Sequence, residues 1–239
     1  MSPSLNAGAV IRRVLDIYVD QAPVLMPTAA VVFVVTGIVS EVLIAAAPAL
    51  GLVSLILSLV ATTLFTGMIV ELVADVQDGR RDASVRGLLQ AATPVLGELL
   101  LVAIVAGAGV VLGFVLLIVP GLVLITIWSV AAPVVVLERP GGLRALGRSR
   151  SLVRGNGWPV FAVILVLGIL VVVLGAAIEL AAESAGSGLG VVARVLIGVL
   201  TAPLSALAAA VLYFELRGAS VGEAAGGALP PDAGPDATG

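Results

Sequence analysis

Glu179 and Glu183 stand four residues apart, the spacing that stacks two carboxylates on one face of a helix. Paired carboxylates are the least that general acid–base work requires. Glu41, Glu71, Glu98 and Glu138 add carboxylates at the borders of long apolar runs, where a charge is a candidate ion or proton site. Little else is on offer. The chain has no histidine, no cysteine and no lysine. That removes imidazole bases and Ser-His-Asp triads, thiolate nucleophiles, disulfides, His- or Cys-ligated metals and Schiff bases. Glu179 and Glu183 close an apolar run, the place of a solvated helix end. The other carboxylates lie where water or a snorkelling arginine reaches them. The expectation is a protein that is not an enzyme and has no cofactor or metal site. Glu98, a few residues inside its run, is the candidate intramembrane polar site.

Positive charge is concentrated in one stretch, "LERPGGLRALGRSRSLVRGNGW" at 137–158, which holds Arg139, Arg144, Arg148, Arg150 and Arg154. Arg144 and Arg148 are four apart, as are Arg150 and Arg154, so each pair stacks on the polar side of a helix. Trp158 follows, at the depth where indole rings favour the membrane interface. Arg144, Arg148, Arg150, Arg154 and Trp158 are therefore candidates for contact with anionic lipid headgroups or with a protein partner. The alternative reading is a topology signal alone. The net charge of −3 argues neither for nor against nucleic acid, but the arginines are local, whereas a nucleic-acid binder needs a basic face on a soluble fold, so no nucleic-acid partner is expected.

The elements that carry these residues follow from composition. Of 239 residues, 60% are hydrophobic and 11% charged, against roughly 25% charged in soluble domains. Mean hydropathy is +1.23, so lipid is the expected solvent. Apolar runs of spanning length occur at about 23–44, 51–74, 95–118, 121–137, 159–180 and 191–216, the fourth being short. Pro48 and Pro120-Gly121 break continuous apolar sequence and mark expected tight turns. The N-terminus lacks the apolar core and cleavage site of a signal peptide, so the first span is expected to direct insertion. With six spans, every arginine except Arg194 falls on one side. Arginine excess in short loops marks the cytoplasm, so both termini are expected there.

A repeat underlies the spans. "QAPVLM", "ATPVLG" and "GWPVFA" place Pro23, Pro94 and Pro159 at the start of each odd span. "IVELV", "VVLER" and "YFELR" place Glu71, Glu138 and Glu215 at the end of each even one. Each odd span is preceded by an amphipathic lead-in that mixes arginine with apolar residues, Leu143, Leu146 and Val153 being candidates for one apolar face. Proline suits the elbow between a helix in the interface and one that spans, because it lacks an N–H and restrains the residue before it. The fold class is all-α integral membrane protein: six transmembrane helices as three hairpin repeats with interfacial amphipathic helices. Its parts are a cytosolic lead-in at 1–22, a membrane domain at 23–217 and a disordered tail at 218–239. Gly109 and Gly113 offer a small-residue face for helix packing, within the bundle or between copies. Ser54, Ser58, Thr62 and Thr66 recur every four residues, a hydroxyl stripe for interhelical bonding or a polar path.

"ALGRSRSLVRGNGW", with "VPGLVLITIWSVAAPVVVLE" before it and "AVLYFELR" after it, resembles the membrane domain of bacterial glycerophosphoryl diester phosphodiesterases and related stand-alone six-span proteins. The likeness covers roughly 8–217 and rests on Pro120-Gly121, Pro133, Glu138, Ala145-Leu146, Arg148-Ser149, Leu152-Val153, Gly155, Trp158, Tyr213 and Leu216-Arg217. It implies a multi-pass helical domain. It does not carry phosphodiesterase activity, which in that family belongs to a separate soluble barrel built around histidines. The basic tail usual after the last span is here "GASVGEAAGG". The expected role is a non-catalytic multi-pass protein of the bacterial plasma membrane that organises lipid or a protein partner at the cytosolic face. The alternative is a small-solute transporter or channel component, whose signs would be a broken helix at Pro133 or Pro203 and a charge at mid-bilayer.

The arginine distribution yields a direct test of sidedness. With no native cysteine to interfere, Arg150→Cys is expected to resist a membrane-impermeant thiol reagent in intact cells and to react once the inner face is opened. Labelling from outside would overturn the topology.

Overall fold

Without water in the hydrocarbon, backbone N–H and C=O groups must pair within the chain, and long apolar runs do so as helices. The computed structural model describes residues 5–78, 85–185 and 189–226. Its helices are α1 (Ala7–Asp20), α2 (Ala22–Ala46), α3 (Gly51–Gln77), α4 (Val85–Ala92), α5 (Leu96–Leu116), α6 (Ile118–Trp128), α7 (Ala131–Glu138), α8 (Gly142–Val153), α9 (Gly157–Ala185) and α10 (Gly190–Gly226). Six segments are long and apolar enough to cross a membrane, with α6 and α7 together forming the fourth.

The prolines sit where the elbow argument places them. Pro23 is the second residue of α2, and Pro159 the third of α9. Pro94 lies in a one-turn 3-10 segment, Thr93–Val95, that runs into α5. Each follows a lead-in helix (α1, α4 or α8) and occupies a first turn, where the missing N–H has no partner to lose. Two hairpin turns differ from expectation in the same way. The turning residues are Ala47 (φ −161°, ψ 126°) and Leu117 (φ −164°, ψ 151°), both extended. Pro48 and Pro120 instead open the helical turns that follow. Span four is broken at Ser129–Val130, two residues before α7 begins its first turn with Pro133 as third residue. Pro203 breaks nothing and lies inside the continuous α10. That helix runs to Gly226, past the expected boundary at 217, and 227–239 lie outside the described residues.

The spans are not equivalent. In the most apolar stretch of the even spans, 39, 39 and 50% of residues are buried, against 6, 17 and 11% in the odd ones. α3, α7 and α10 touch one another at the centre, and α2, α5 and α9 flank them toward lipid. Each lead-in packs on the even span of the preceding unit: α4 on α3, α8 on α6 and α7, and α1 on α10, which closes the ring between the chain's two ends. Val10, Val14 and Ile17 form the buried stripe of α1 at helical spacing. Tyr18 reinforces the closure by donating to the Leu200 carbonyl at 3.0 Å. Burial raises its phenol above the ordinary tyrosine value, so it remains a neutral donor.

Burial is concentrated at the lead-in end, where Phe65, Met68, Ile69, Leu207, Leu212, Tyr213 and Leu216 are fully enclosed. Toward the far end Val35, Ile38, Leu55, Leu117, Ile118 and Val172 are exposed to the lipid solvent. Within hairpin two the glycines act inside the bundle. A Cβ at Gly113 would meet the Gly121 backbone at 3.0 Å, and one at Gly109 would strike the Trp128 ring at 2.6 Å. The Gly109–Gly113 face therefore joins α5 to α6.

Gly113→Leu is expected to destabilise the protein by about 1–3 kcal/mol, because the facing obstacle is backbone and cannot turn aside. Gly107→Leu, with open space around it, is the control. Thermal unfolding in detergent should separate the two, and equal melting temperatures would contradict the packing.

Candidate functional site

Glu138 is the last residue of α7. A carboxylate at a helix C-terminus faces the negative end of the peptide dipoles, so it needs compensation. The chain supplies it by turning sharply. Arg139 takes the left-handed conformation (φ 49°, ψ 47°), and its N–H bonds the Val134 carbonyl at 3.3 Å. Gly141 follows at φ 94°, a conformation that glycine adopts without steric cost. The turn folds α8 back against α7. Arg148 Nε then donates to Glu138 Oε2 at 2.8 Å, and Tyr213 Oη, from α10, donates to Oε1 at 3.0 Å. The hydrogen bond to Glu138 raises the Arg148 guanidinium above its ordinary value, so it stays charged.

The next residue completes the dock. Ser149 is fully buried and donates to the Ile127 carbonyl at 2.8 Å. Ile127 belongs to the last turn of α6, whose carbonyls have no partner inside that helix. Arg148 and Ser149 thus fasten α8 to both pieces of the broken fourth span. Gly155, at φ 92°, turns the chain from α8 into α9. The residues carrying the family resemblance between Glu138 and Tyr213 are in large part those that hold α7, α8 and α10 together.

The sequence-derived candidates separate accordingly. The inward face of α8 is Ala145, Leu146, Ser149, Leu152 and Val153, packed on the bundle. Leu143, expected with Leu146 and Val153, is exposed instead. Arg144, Arg150 and Arg154 are exposed on the opposite side. Among the described residues the ion pairs are Arg148–Glu138 and Arg194–Glu41, so these three arginines have no carboxylate partner. Trp158 is 82% exposed, its ring edge-on to Phe161 at 5.8 Å. Glu98 lies in the first turn of α5, not at mid-span, where a carboxylate meets the favourable end of the helix dipole. Its Oε2 is buried without a hydrogen-bond partner among the described residues. No group of three or more acidic residues suited to a metal ion occurs among the described residues.

At the far end a cleft of about 300 Å³ opens between α2, α3 and α10. Ser54, Ser58 and Thr62 of the hydroxyl stripe line one wall, with Thr36 and Ser40 across from them and the Glu41–Arg194 ion pair beside them. Thr66, the fourth member of the stripe, turns to its own helix and bonds the Thr62 carbonyl at 2.9 Å. Phe33 lies against Phe65 with ring centres 5.5 Å apart, and Phe65 is fully buried. Phe33 also lines the cleft, so its wall meets the packed core there. Neither the pairing of Glu41 with Arg194 nor the Tyr213–Glu138 bond was visible in the sequence, although the two motifs joined by the latter, "VVLER" and "YFELR", stood out as span ends.

In comparisons with known proteins, residues 11–216 match a family described as a domain of unknown function, DUF8558. The chain is also 34% identical over 99 residues to a UPF0259 membrane protein of Pectobacterium carotovorum subsp. carotovorum (strain PC1). That likeness covers 41% of this chain, and the chain spans about two fifths (39%) of the length of the curated relative it matches. No solved structure matches. The resemblance to bacterial multi-pass membrane proteins is borne out, while neither match is to the phosphodiesterase membrane domain.

Proposed function

The chain belongs to the DUF8558 family, and we propose that it is a non-catalytic multi-pass protein of the bacterial plasma membrane that gathers anionic lipid headgroups at its cytosolic, lead-in face. In this reading 1–22 form the first lead-in, the membrane domain spans 23–217 and both termini are cytosolic. One observation carries it: α8 buries its apolar side in the bundle and leaves Arg144, Arg150 and Arg154 exposed, with no carboxylate partner among the described residues. Trp158 stands out beside them at the start of α9. A basic residue near an anionic surface contributes roughly 1 kcal/mol, weakened by salt. Arg148 is spent on Glu138 and holds α8 in place. The same surface suits docking of a cytosolic protein, with the headgroups as the first layer. A solute-transport reading draws on the hydroxyl-lined cleft, and it needs a path beyond Phe33, whose ring packs on the buried Phe65.

Arg150→Gln with Arg154→Gln leaves Arg139, Arg144 and Arg148 to orient the loop. Native mass spectrometry from mixed bilayers is expected to show phosphatidylglycerol retention reduced about tenfold, for two arginines at roughly 1 kcal/mol each less screening. Unchanged retention with unchanged topology would reduce the arginines to an orientation signal.

A further inference from the structure

Arg194 is the one arginine that the six-span arrangement sets apart from the rest, and it faces Glu41 at the far-end cleft. We propose that this cleft is a binding site for a zwitterion, a group bearing an ammonium beside a phosphate or carboxylate, as found in aminophospholipid headgroups and in small free zwitterions. The proposal concerns the face opposite the α8 arginines and does not depend on them.

The charges select the ligand class. A lone anion drawn to Arg194 is repelled by Glu41, and a lone cation drawn to Glu41 is repelled by Arg194. A zwitterion satisfies both, its anionic group on the guanidinium and its ammonium on the carboxylate. Both side chains are substantially exposed, so their mutual pairing is weak and exchanges readily for ligand contacts. The guanidinium presents a planar fork suited to phosphate or carboxylate oxygens.

The walls supply the rest of a polar site. Ser54, Ser58 and Thr62 are one helical turn apart on α3 and carry hydroxyls from the ion pair inward over about 12 Å, at 1.5 Å per residue. Ser40 faces them from α2, and its Oγ is buried with no partner among the described residues. A buried hydroxyl without a partner is costly, and a ligand oxygen or bound water in the cleft would satisfy it. The α10 backbone closes in below: a Cβ at Gly198 would strike the Phe33 ring at 2.8 Å. The volume of about 300 Å³ is at the lower bound of ligand pockets, which suits a headgroup-sized group.

The test uses the full chain. Glycerophosphoethanolamine is titrated calorimetrically into detergent-purified protein, with glycerol phosphate as the anion-only probe. In parallel, native mass spectrometry compares lipid retained from phosphatidylethanolamine and phosphatidylglycerol nanodiscs by the Arg150→Gln with Arg154→Gln protein, in which the headgroup contacts proposed for α8 are weakened. Binding of glycerophosphoethanolamine but not glycerol phosphate shows that the free zwitterion suffices. Retention of phosphatidylethanolamine over phosphatidylglycerol, without binding of the soluble probe, shows that the acyl chains are needed. In either case Glu41→Gln with Arg194→Gln should reduce binding at least tenfold. If that variant fails to fold, Ser58→Ala keeps the ion pair and should weaken binding about two- to tenfold, the range for one hydrogen bond. The proposal is overturned if neither zwitterion binds, if the anion-only forms bind equally well, or if the folded variants bind as the wild type does.

Discussion

At the lead-in end one carboxylate is kept where a helix dipole opposes it, and three helices meet on it. Glu138 closes α7, receives Arg148 from α8 and Tyr213 from α10, and so joins three helices from two units through two oxygens. Tyr213 is fully buried, and Glu138 accepts from its hydroxyl. The break in span four is part of the same arrangement, since Ser149 satisfies a carbonyl at the end of α6 while its neighbour Arg148 holds α7. The polar groups that meet here hold apolar helices in register, because lipid tails are as apolar as leucine and leave little hydrophobic drive between spans.

That economy divides the molecule into two ends with different properties. At the lead-in end, α1, α4 and α8 each brace the even span of the unit before, and the ring closes through α1 and α10. At the far end no such braces occur among the described residues, and a polar notch opens between α2, α3 and α10. The molecule thus has one surface at the lead-in end and a separate recess opposite. The two carry different chemistry: on one, arginines with no carboxylate partner among the described residues, and on the other a balanced pair of opposite charges with hydroxyls.

Much of this was legible in the sequence. Six spans follow from apolar length, and the elbows from Pro23, Pro94 and Pro159, because a first-turn proline is compatible with few other settings. The glycine face of hairpin two was legible as packing, though not its partners Gly121 and Trp128. The break at Ser129–Val130 was hidden because an apolar run reads alike whether or not its helix is continuous, and a side chain twenty residues away in sequence secures it. Leu143 was misplaced because α8 turns a narrower face inward than its composition allows. The Glu41–Arg194 pair joins residues 153 apart, each of which by itself reads as an ordinary charge at a helix end. Long-range polar contacts of this kind leave no periodic trace, which is why the fold was easier to read than either candidate site.

The account rests most directly on the Glu138 junction, and a double-mutant cycle measures it. Glu138→Ala, Tyr213→Phe and the double variant are compared by unfolding in detergent. The account predicts a coupling energy of about 1 kcal/mol or more, within the range for residues in direct contact, because either substitution removes the hydrogen bond between them. Strictly additive effects of the two substitutions would contradict it.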